Sequence, residues 1–216
     1  MFKLDFISDK TRNVLEKISI EKFIEKFTLV GGTALSVQIE HRLSEDLDFM
    51  FDGEILDSNS IKKFIDKIFR GSYKLIKQDN DHQLDFIINE VKVTFFTNSA
   101  VSIQFAVKDY SEKFGNVNIA TPLIISILKL NAIAQRNTIR DYYDLYYIAK
   151  NIVPLKTIFD KSRELLPHIS DITYTETIIY TEDLIETNVS DHLKPKENVS
   201  KSDISDYFIN EIKKII

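Results

Sequence analysis

The chain has 216 residues, of which 44% are hydrophobic and 28% charged, with 5 Gly and 4 Pro, a composition that excludes a disordered or low-complexity protein. The absence of Cys excludes a disulfide framework, a thiolate zinc site and a cysteine nucleophile. The net charge of -5, with no long apolar run and no signal-like start, predicts a soluble, cytoplasmic protein that does not bind nucleic acid through its overall charge.

Apolar periodicity predicts an α+β region over residues 1–120. Helices are expected over residues 8–27, with a break near Ser19 and Ile20, and over 33–39 and 60–69. Strands are expected over 28–30, 46–51, 73–78, 83–88, 91–97 and 103–107, with a two-residue hairpin loop at Asn89 and Glu90.

Residues 121–216 are predicted to be helical, as a second region of the chain. Thr121 is expected to cap a helix that has Pro122 at its first position. After a break near Asn137 another helix is expected, and helical periodicity continues from Pro154 onwards.

A glycine pair lies where a predicted strand runs into a helix. Gly31 and Gly32 permit tight backbone dihedrals and the close approach of a ligand, because neither has a Cβ. The free N–H groups and the positive dipole end of the following helix form an anion site, to which Thr33 adds a hydroxyl donor. A structural turn that binds no ligand gives the same pattern, so the glycine pair alone does not settle the function.

Two carboxylates alternate on the next predicted strand. Asp46 and Asp48 are two residues apart and therefore share one face, while Leu47 and Phe49 face the core. Neighbouring carboxylates repel each other unless a cation lies beside them, and such oxygen ligands suit Mg²⁺ that carries nucleotide phosphates. The alternative is an exposed strand end whose Asp side chains cap neighbouring groups.

A third group of charged residues lies in the helical region. Lys129 and Arg136 are seven residues apart and share a helix face, where they could neutralise or clamp phosphates. Asp141 and Asp144 are three residues apart and also adjacent on a helix. The alternative is that Arg136 and Asp141 form a structural pair that ties two helices together.

These three pieces, in this order, resemble the nucleotidyltransferase superfamily, and specifically its AbiEii/AbiGii-type toxin family, near which the MenT-like enzymes belong. The matching segments are Gly31 to Leu35, Arg42 to Phe49, Lys129, and Arg136 with Arg140 to Leu145. The resemblance covers roughly residues 25–150, and the joint spacing is more specific than any single motif.

The resemblance implies a mixed β-sheet flanked by helices, with the region 121–216 completing an active-site cleft. The reaction that it implies is transfer of a nucleoside monophosphate from an NTP to an acceptor hydroxyl, with pyrophosphate leaving. Members of the family are toxins, usually paired with an antitoxin protein, and some of them modify tRNA.

The resemblance also implies roles for individual residues. A divalent metal ion, Mg²⁺ or Mn²⁺, is expected at Asp46 and Asp48. Asp141 is expected either to orient Lys129 or to act as a general base, and Arg42 either contacts a phosphate or pairs with a neighbouring carboxylate. The residues expected to contact the NTP are Gly31, Gly32, Thr33, Arg42, Lys129 and Arg136.

One departure concerns a third carboxylate that many superfamily members carry on a later strand. Thr94 stands in that position here. If the hairpin loop has two residues, Ile88 pairs with Val91 and Asp85 lies opposite Thr94, where Asp85 supplies the missing metal ligand. A one-residue slip would move Asp85 to the other face, and the alternatives are that Asp141 is the base or that catalysis is weak.

The acceptor has three alternatives, RNA, a protein or a small molecule, and the activity has two. The basic cluster at 62–77 (Lys62, Lys63, Lys67, Arg70, Lys74 and Lys77) predicts contact with an RNA backbone, or is a solvated helix face. The acidic stretch at 171–191 would suit a cationic small-molecule acceptor such as an aminoglycoside. An inactive nucleotidyltransferase fold, which binds a nucleotide or a partner protein without catalysis, is the alternative that Thr94 favours.

Overall fold

The computed structural model describes residues 2–79, 81–167, 170–184, 189 and 193–215. They form two compact units, Met1–Thr121 and Pro122–Ile216. Within these described ranges, no helix is both long enough and apolar enough to cross a membrane. Of the acidic stretch at 171–191, residues 185–188, 190 and 191 lie outside the described residues.

The first unit is built on one mixed sheet of seven strands. The strands are β1 (Phe27–Val30), β2 (Leu47–Phe51), β3 (Tyr73–Asp79), β4 (Gln83–Ile88), β5 (Val91–Thr97), β6 (Ser111–Phe114) and β7 (Val117–Ala120). Their order in the sheet is β3-β4-β5-β2-β1-β7-β6, with β1 parallel to β7 and β2 parallel to β5. The other neighbours are antiparallel. The α+β fold with a mixed sheet is therefore confirmed.

Three α-helices accompany the sheet in this unit. They are α1 (Asp9–Ser19), α2 (Gly31–Ile39) and α3 (Ser58–Phe69). The break predicted near Ser19 and Ile20 is confirmed, and a 3-10 helix over Lys22–Lys26 lies where the second helix was expected, after α1 ends at Ser19. Helix α1 ends there because the positions three and four residues beyond the buried Ile18 are Glu21 and Lys22, which cannot continue the apolar stripe.

Aromatic packing distinguishes the two faces of the sheet. Phe49 on β2 stacks on Phe95 of β5 with ring centroids 5.3 Å apart, and Phe64 of α3 packs edge-on against Phe95. We call this the helix-covered face. Asp48 and Thr94 precede these two phenylalanines and so lie on the opposite side, which we call the polar face.

The prediction of a strand over residues 103–107 is wrong. Ile103 and Val107 are buried, as the alternation suggested, but the main-chain N–H groups of Val107 and Lys108 donate to the carboxylate of Asp52 instead of to a neighbouring strand. The strands of this region are β6 and β7, which are joined by a turn at Gly115 with φ +56.

The second unit is helical in most of its described residues. Its helices are α4 (Pro122–Ile133), α5 (Ile139–Asn151), α6 (Leu155–Leu165), α7 (Asp171–Ile179) and α8 (Lys201–Ile215). Residues 194–200 are not helical, contrary to the prediction. Side-chain hydrogen bonds hold this segment instead, because the carboxylate of Glu197 accepts from Tyr146 and Lys150 on α5.

Candidate active site

The register of β1 and β2 brings the glycine turn next to Asp48. Val30, the last residue of β1, pairs with Asp48 near the start of the antiparallel β2. Gly31 follows Val30 directly and begins α2. The Asp48 carboxylate lies against this corner, because a Cβ added to Gly31 would stand 2.9 Å from Asp48 Oδ2. Two motifs that are separated by 16 residues in the chain are therefore adjacent in space.

Glycine is required at the two positions of the pair for different structural reasons. Gly31 has φ +73, in the left-handed region that side chains with a Cβ rarely adopt. At Gly32 the constraint is space, because a Cβ there would stand 2.6 Å from Arg42 Nη2 and 3.0 Å from Ser44 Oγ. The start of α2 thus has a carboxylate on one side and a guanidinium on the other.

Side-chain hydrogen bonds fix the chain that leads to the two carboxylates. The Thr33 hydroxyl lies 2.9 Å from Ser44 Oγ and donates to the main-chain carbonyl of Asp46. The Thr11 hydroxyl donates to the carbonyl of Glu45 over 2.7 Å. Sequence reasoning gave Ser44 no role, and its place in the matched segment between Arg42 and Asp46 was the only signal. These contacts hold the main chain at Asp46 in place.

Exposure divides the predicted residues of this corner into two groups. The Asp46 side chain is exposed and Asp48 is partly exposed, so both can meet a ligand. Thr33 and Arg42 are buried, at 1% and 4% exposure. The Arg42 guanidinium donates to the carbonyl of Leu43 and lies beneath the start of α2, where it adds positive charge.

The chemistry of the two carboxylates fits Mg²⁺ that carries phosphates. Mg²⁺ is commonly bound by one or two carboxylates, with water and phosphate oxygens as its other ligands. Asp48 offers a carboxylate beside the start of α2, and Asp46, directly before β2, is held near it through the bond from Thr33 to its main-chain carbonyl. Among the described residues no group of three or more His, Cys, Asp or Glu side chains is arranged to hold a metal ion. A metal ion held by these two carboxylates would therefore take its other ligands from water or from a substrate.

The hairpin register predicted for Asp85 is confirmed. Ile88 pairs with Val91 and Asp85 with Thr94, which in turn pairs with Asp48 on the other side. Two strand spacings separate the main chains of Asp85 and Asp48, about 10 Å. The Asp85 carboxylate is buried, with hydrogen-bond and ion-pair partners of its own on β4 and β5, namely Gln83 Nε2 at 2.8 Å and Lys92 Nζ at 3.4 Å. The role of Asp85 as a metal ligand stays a prediction.

The second unit contains a buried ionic cluster on α4 and α5. Lys129 Nζ lies 2.7 Å from Asp141 Oδ1 and 2.6 Å from Asp144 Oδ2. Arg136 Nε donates to Asp141 Oδ2 over 2.9 Å, and the Thr138 hydroxyl donates to the same oxygen over 2.6 Å. The side chains of Lys129, Asp141 and Asp144 are at most 8% exposed, whereas that of Arg136 is 64% exposed.

These contacts keep Asp141 ionised. Burial alone would raise the pKa of Asp141, but the charges of Lys129 and Arg136, with hydrogen bonds from Lys129 and Thr138, lower the pKa to about 2. A carboxylate with this pKa is a weak proton acceptor at neutral pH. The contact between Asp144 and Lys129 was not predicted, although the three-residue spacing of Asp141 and Asp144 was its signal.

Comparison with known proteins covers most of the chain. The model of the family described as "Nucleotidyl transferase AbiEii toxin, Type IV TA system" matches residues 13–207. An uncharacterized protein of Aquifex aeolicus (strain VF5) is 28% identical over 211 residues, which cover 94% of this chain and 98% of that protein.

Two crystal structures from Helicobacter pylori share the fold. JHP933 is 18% identical with a TM-score of 0.51, over 96% of this chain and 95% of that chain. A second structure, provisionally described as a nucleotidyltransferase, is also 18% identical, with a TM-score of 0.50 over 97% of this chain and 99% of the other.

Proposed function

Because the chain belongs to the AbiEii family of nucleotidyl transferase toxins and is thus a nucleotidyltransferase, we propose that the corner formed by Gly31 and Asp48 binds its NTP. The nucleoside monophosphate is transferred to an acceptor hydroxyl. The acceptor hydroxyl gives its proton to solvent and its oxygen forms a bond to the α-phosphorus, while the bond from this phosphorus to the oxygen of the β-phosphate breaks and pyrophosphate leaves. The observation that carries the proposal is the Asp48 carboxylate lying against the start of α2.

The start of α2 favours an anion. Val30 precedes the helix and provides no side-chain cap, so the first main-chain N–H groups can serve a ligand. The Arg42 guanidinium beneath Gly32 adds a full positive charge to the positive end of the helix dipole. The Thr33 hydroxyl already bonds within the protein, so this residue serves a phosphate through its main-chain N–H.

A cation is needed beside Asp48 if a triphosphate binds there. A carboxylate and a phosphate oxygen about 4 Å apart repel each other by about 4 kcal/mol at an effective dielectric constant of 20. The helix dipole contributes only about 0.3–2 kcal/mol, and the Arg42 guanidinium lies beside Gly32, on the other side of the helix start from Asp48. Mg²⁺ or Mn²⁺ held by Asp46 and Asp48 would offset this repulsion, and would supply charge neutralisation of the phosphates and activation of the acceptor oxygen. The protein's own part is positioning, on which phosphoryl transfer mainly depends.

The residues of the second unit have electrostatic roles in this proposal. Arg136, whose side chain is 64% exposed, neutralises phosphate charge, and Asp141 orients Arg136 and Lys129. Lys129 is buried and already paired with Asp141 and Asp144, so its own charge mainly balances these two carboxylates. The low pKa of Asp141 and its bonds to Lys129, Arg136 and Thr138 support the orienting role over that of a general base. Asp144 shares the orienting role through its contact with Lys129.

RNA is the proposed acceptor. An antitoxin protein is the proposed partner, because the family is described as part of a Type IV TA system. Incubation with total RNA, each labelled NTP and Mg²⁺ tests the transfer, with pyrophosphate release measured in parallel. We expect label in RNA with at least one NTP. Pyrophosphate release without labelled RNA would point to a protein or small-molecule acceptor.

Thr94, where many superfamily members have a carboxylate, favours a second candidate. This candidate is an inactive nucleotidyltransferase fold that binds a nucleotide without catalysis. It predicts NTP binding with no pyrophosphate release under any condition. The pyrophosphate measurement therefore separates the two candidates directly.

A further inference from the structure

A bulge in β3 turns two lysines to the same face of the sheet. Lys74 and Lys77 are three residues apart and would face opposite sides of a regular strand. The register with β4 shifts just before Lys77, so that Lys74 pairs with Ile87 and Lys77 with Asp85. Ile87 and Asp85 share one side of β4, and Ile76 is the extra residue of the bulge. The bulge therefore redirects Lys77 to the side of Lys74.

This side is the polar face, on which Asp48 lies. One row of paired residues runs across four strands, from Lys77 through Asp85 and Thr94 to Asp48. With about 4.8 Å between neighbouring strands, the main chains of Lys77 and Asp48 are about 14 Å apart. Lys92 lies two residues before Thr94 on β5 and shares the face. Three lysines therefore lie on the same face as the proposed catalytic carboxylate.

The charge of these lysines is only partly balanced. Lys92 Nζ lies 3.4 Å from Asp85 Oδ2, whereas Lys77 donates to the neutral Gln83 Oε1 over 3.0 Å. Of the three, Lys92 alone pairs with a carboxylate within the described part of the chain. Lys74 and Lys77 are both exposed, so their charges are available to a ligand.

Protection of an edge strand is the simpler explanation for lysines on β3. Edge strands commonly carry lysines that prevent pairing with another chain. That purpose is served whichever face the lysines lie on. Bulges also protect edge strands, but edge protection does not require Lys77 to share with Lys74 the face on which Asp48 lies.

The other cations of the basic cluster lie elsewhere. Lys62, Lys63, Lys67 and Arg70 belong to α3 or its C-terminal cap, and α3 packs on the helix-covered face through Phe64. Lys67 forms an ion pair with Glu21. Lys62 reaches β3 from the helix-covered face, where its Nζ donates to Gln78 Oε1 over 2.7 Å. The six cations that are clustered in the sequence are therefore divided between the two faces of the sheet.

We propose that Lys74 and Lys77, with Lys92, bind the phosphates of a single-stranded RNA acceptor on the polar face of the sheet. This inference rests on the proposed function, since it gives the acceptor strand a path towards Asp48. Spaced lysines on a strand suit a phosphate backbone, whereas lysine is depleted from protein interfaces, which need an apolar core. RNA is therefore favoured over an acidic protein partner.

The test measures the salt dependence of binding of a labelled single-stranded RNA to the full-length protein. The variants are Lys74→Gln/Lys77→Gln and, as a control with the same charge change, Lys63→Gln/Arg70→Gln. Each phosphate contact on a single strand contributes about 0.7 to the slope of log K against log salt. We expect the first variant to lose about 1.4 of slope and roughly tenfold in affinity near physiological salt. The control should keep both values, and Lys74→Arg/Lys77→Arg should bind like the wild type.

Three outcomes would overturn the surface. The first is an unchanged salt slope for the Lys74→Gln/Lys77→Gln variant, and the second is an equal loss of slope and affinity in the α3 control. The third is that polyaspartate binds the wild type as tightly as RNA does and loses the same affinity in the Lys74→Gln/Lys77→Gln variant. Thermal unfolding of each variant checks that it folds, and the arginine variant shows whether charge alone matters. Pyrophosphate release by the wild type is measured separately. If no pyrophosphate is released but RNA binding still depends on the lysines, the proposed function is contradicted and the proposed RNA-binding surface is supported.

Discussion

The carboxylate of Asp48 lies so close to the main chain of Gly31 that a Cβ there would stand 2.9 Å from Oδ2. This contact follows from the antiparallel pairing of Val30 with Asp48. It places a carboxylate beside the start of α2, which favours anions, and in the proposed function a cation would have to lie between this carboxylate and the phosphates. A metal ion with bound phosphates satisfies both requirements at one point.

Replacing Gly31 should therefore damage the site as well as the backbone. Gly31→Ala combines strain at φ +73 with a collision at Asp48, whereas Gly71→Ala adds a Cβ at φ +81 with no atom within 4 Å. Backbone strain in the left-handed region alone costs about 1–2 kcal/mol. We therefore expect Gly71→Ala to lower the free energy of unfolding by this amount and to keep its transfer activity. Gly31→Ala should lose more stability and roughly a hundredfold in transfer, because Asp48 must shift.

Urea unfolding and transfer of labelled nucleotide measure the two effects on the same samples. The difference between the two alanine variants isolates the contact with Asp48, because the backbone strain is similar. Equal transfer rates in both variants would mean that the position of Asp48 beside Gly31 is not needed.

The metal role predicted for Asp85 can be tested by moving the carboxylate. Asp85→Asn should raise the Mg²⁺ concentration needed for half-maximal transfer, if Asp85 replaces the carboxylate missing at Thr94. Adding Thr94→Asp to this variant restores a carboxylate on the strand next to Asp48 and should recover the Mg²⁺ requirement. A Mg²⁺ titration of all three proteins shows whether it does.

An unchanged Mg²⁺ requirement in Asp85→Asn would contradict the prediction that this residue is a metal ligand. Asp85 would then serve through its ion pair with Lys92 and its hydrogen bond from Gln83. Lower stability of the variant with unchanged metal dependence would fit that outcome.

The buried ionic cluster of the second unit should make the free energy of unfolding depend on pH in the acidic range. The pKa of Asp141 is lowered to about 2, below the usual value of 3.8. Its ionised form therefore stabilises the fold above pH 4, and this contribution is lost as the pH falls from about 4 towards 2. The shift corresponds to about 2 kcal/mol. Asp141→Asn should lose roughly 3 kcal/mol at pH 7, because Lys129 remains buried with one carboxylate partner fewer.

Unfolding free energies at several pH values between 2 and 7 measure this. Asp160→Asn is the matched control, because Asp160 forms exposed ion pairs with Lys156 and Arg163 that contribute less than about 1 kcal/mol. If Asp141→Asn and Asp160→Asn lose the same stability, the cluster around Lys129 is not a structural element of the fold.

Local signals predicted much of the fold. The loop Asn89-Glu90 has positive φ at both residues, as a type I′ turn requires, and this two-residue loop fixes the pairing of Asp85 with Thr94. The strand predicted over 103–107 failed because the hydrogen bonds of its main chain go to Asp52, about fifty residues earlier in the chain. No local pattern contains such a partner.

The candidate site was predictable in its residue types and less so in their surroundings. The spacing of Asp46 and Asp48 and the glycine pair pointed to the corner that the structure forms. The burial of Arg42 beneath Gly32 was not predictable, because it depends on how the loop after α2 folds back. Lys77 lies with Lys74 on the face opposite to α3 because of a bulge in β3, and no pattern in the sequence predicts this bulge.

Transfer of labelled nucleotide by Asp48→Asn in the presence of Mg²⁺ tests the central claim most directly. Glu45→Gln is the matched control, since it removes the same charge from an exposed residue three positions earlier. We expect Asp48→Asn to lose roughly a hundredfold to a thousandfold in transfer at wild-type stability, and Glu45→Gln to retain its activity. Transfer by Asp48→Asn at the wild-type rate and the wild-type Mg²⁺ requirement would contradict the account.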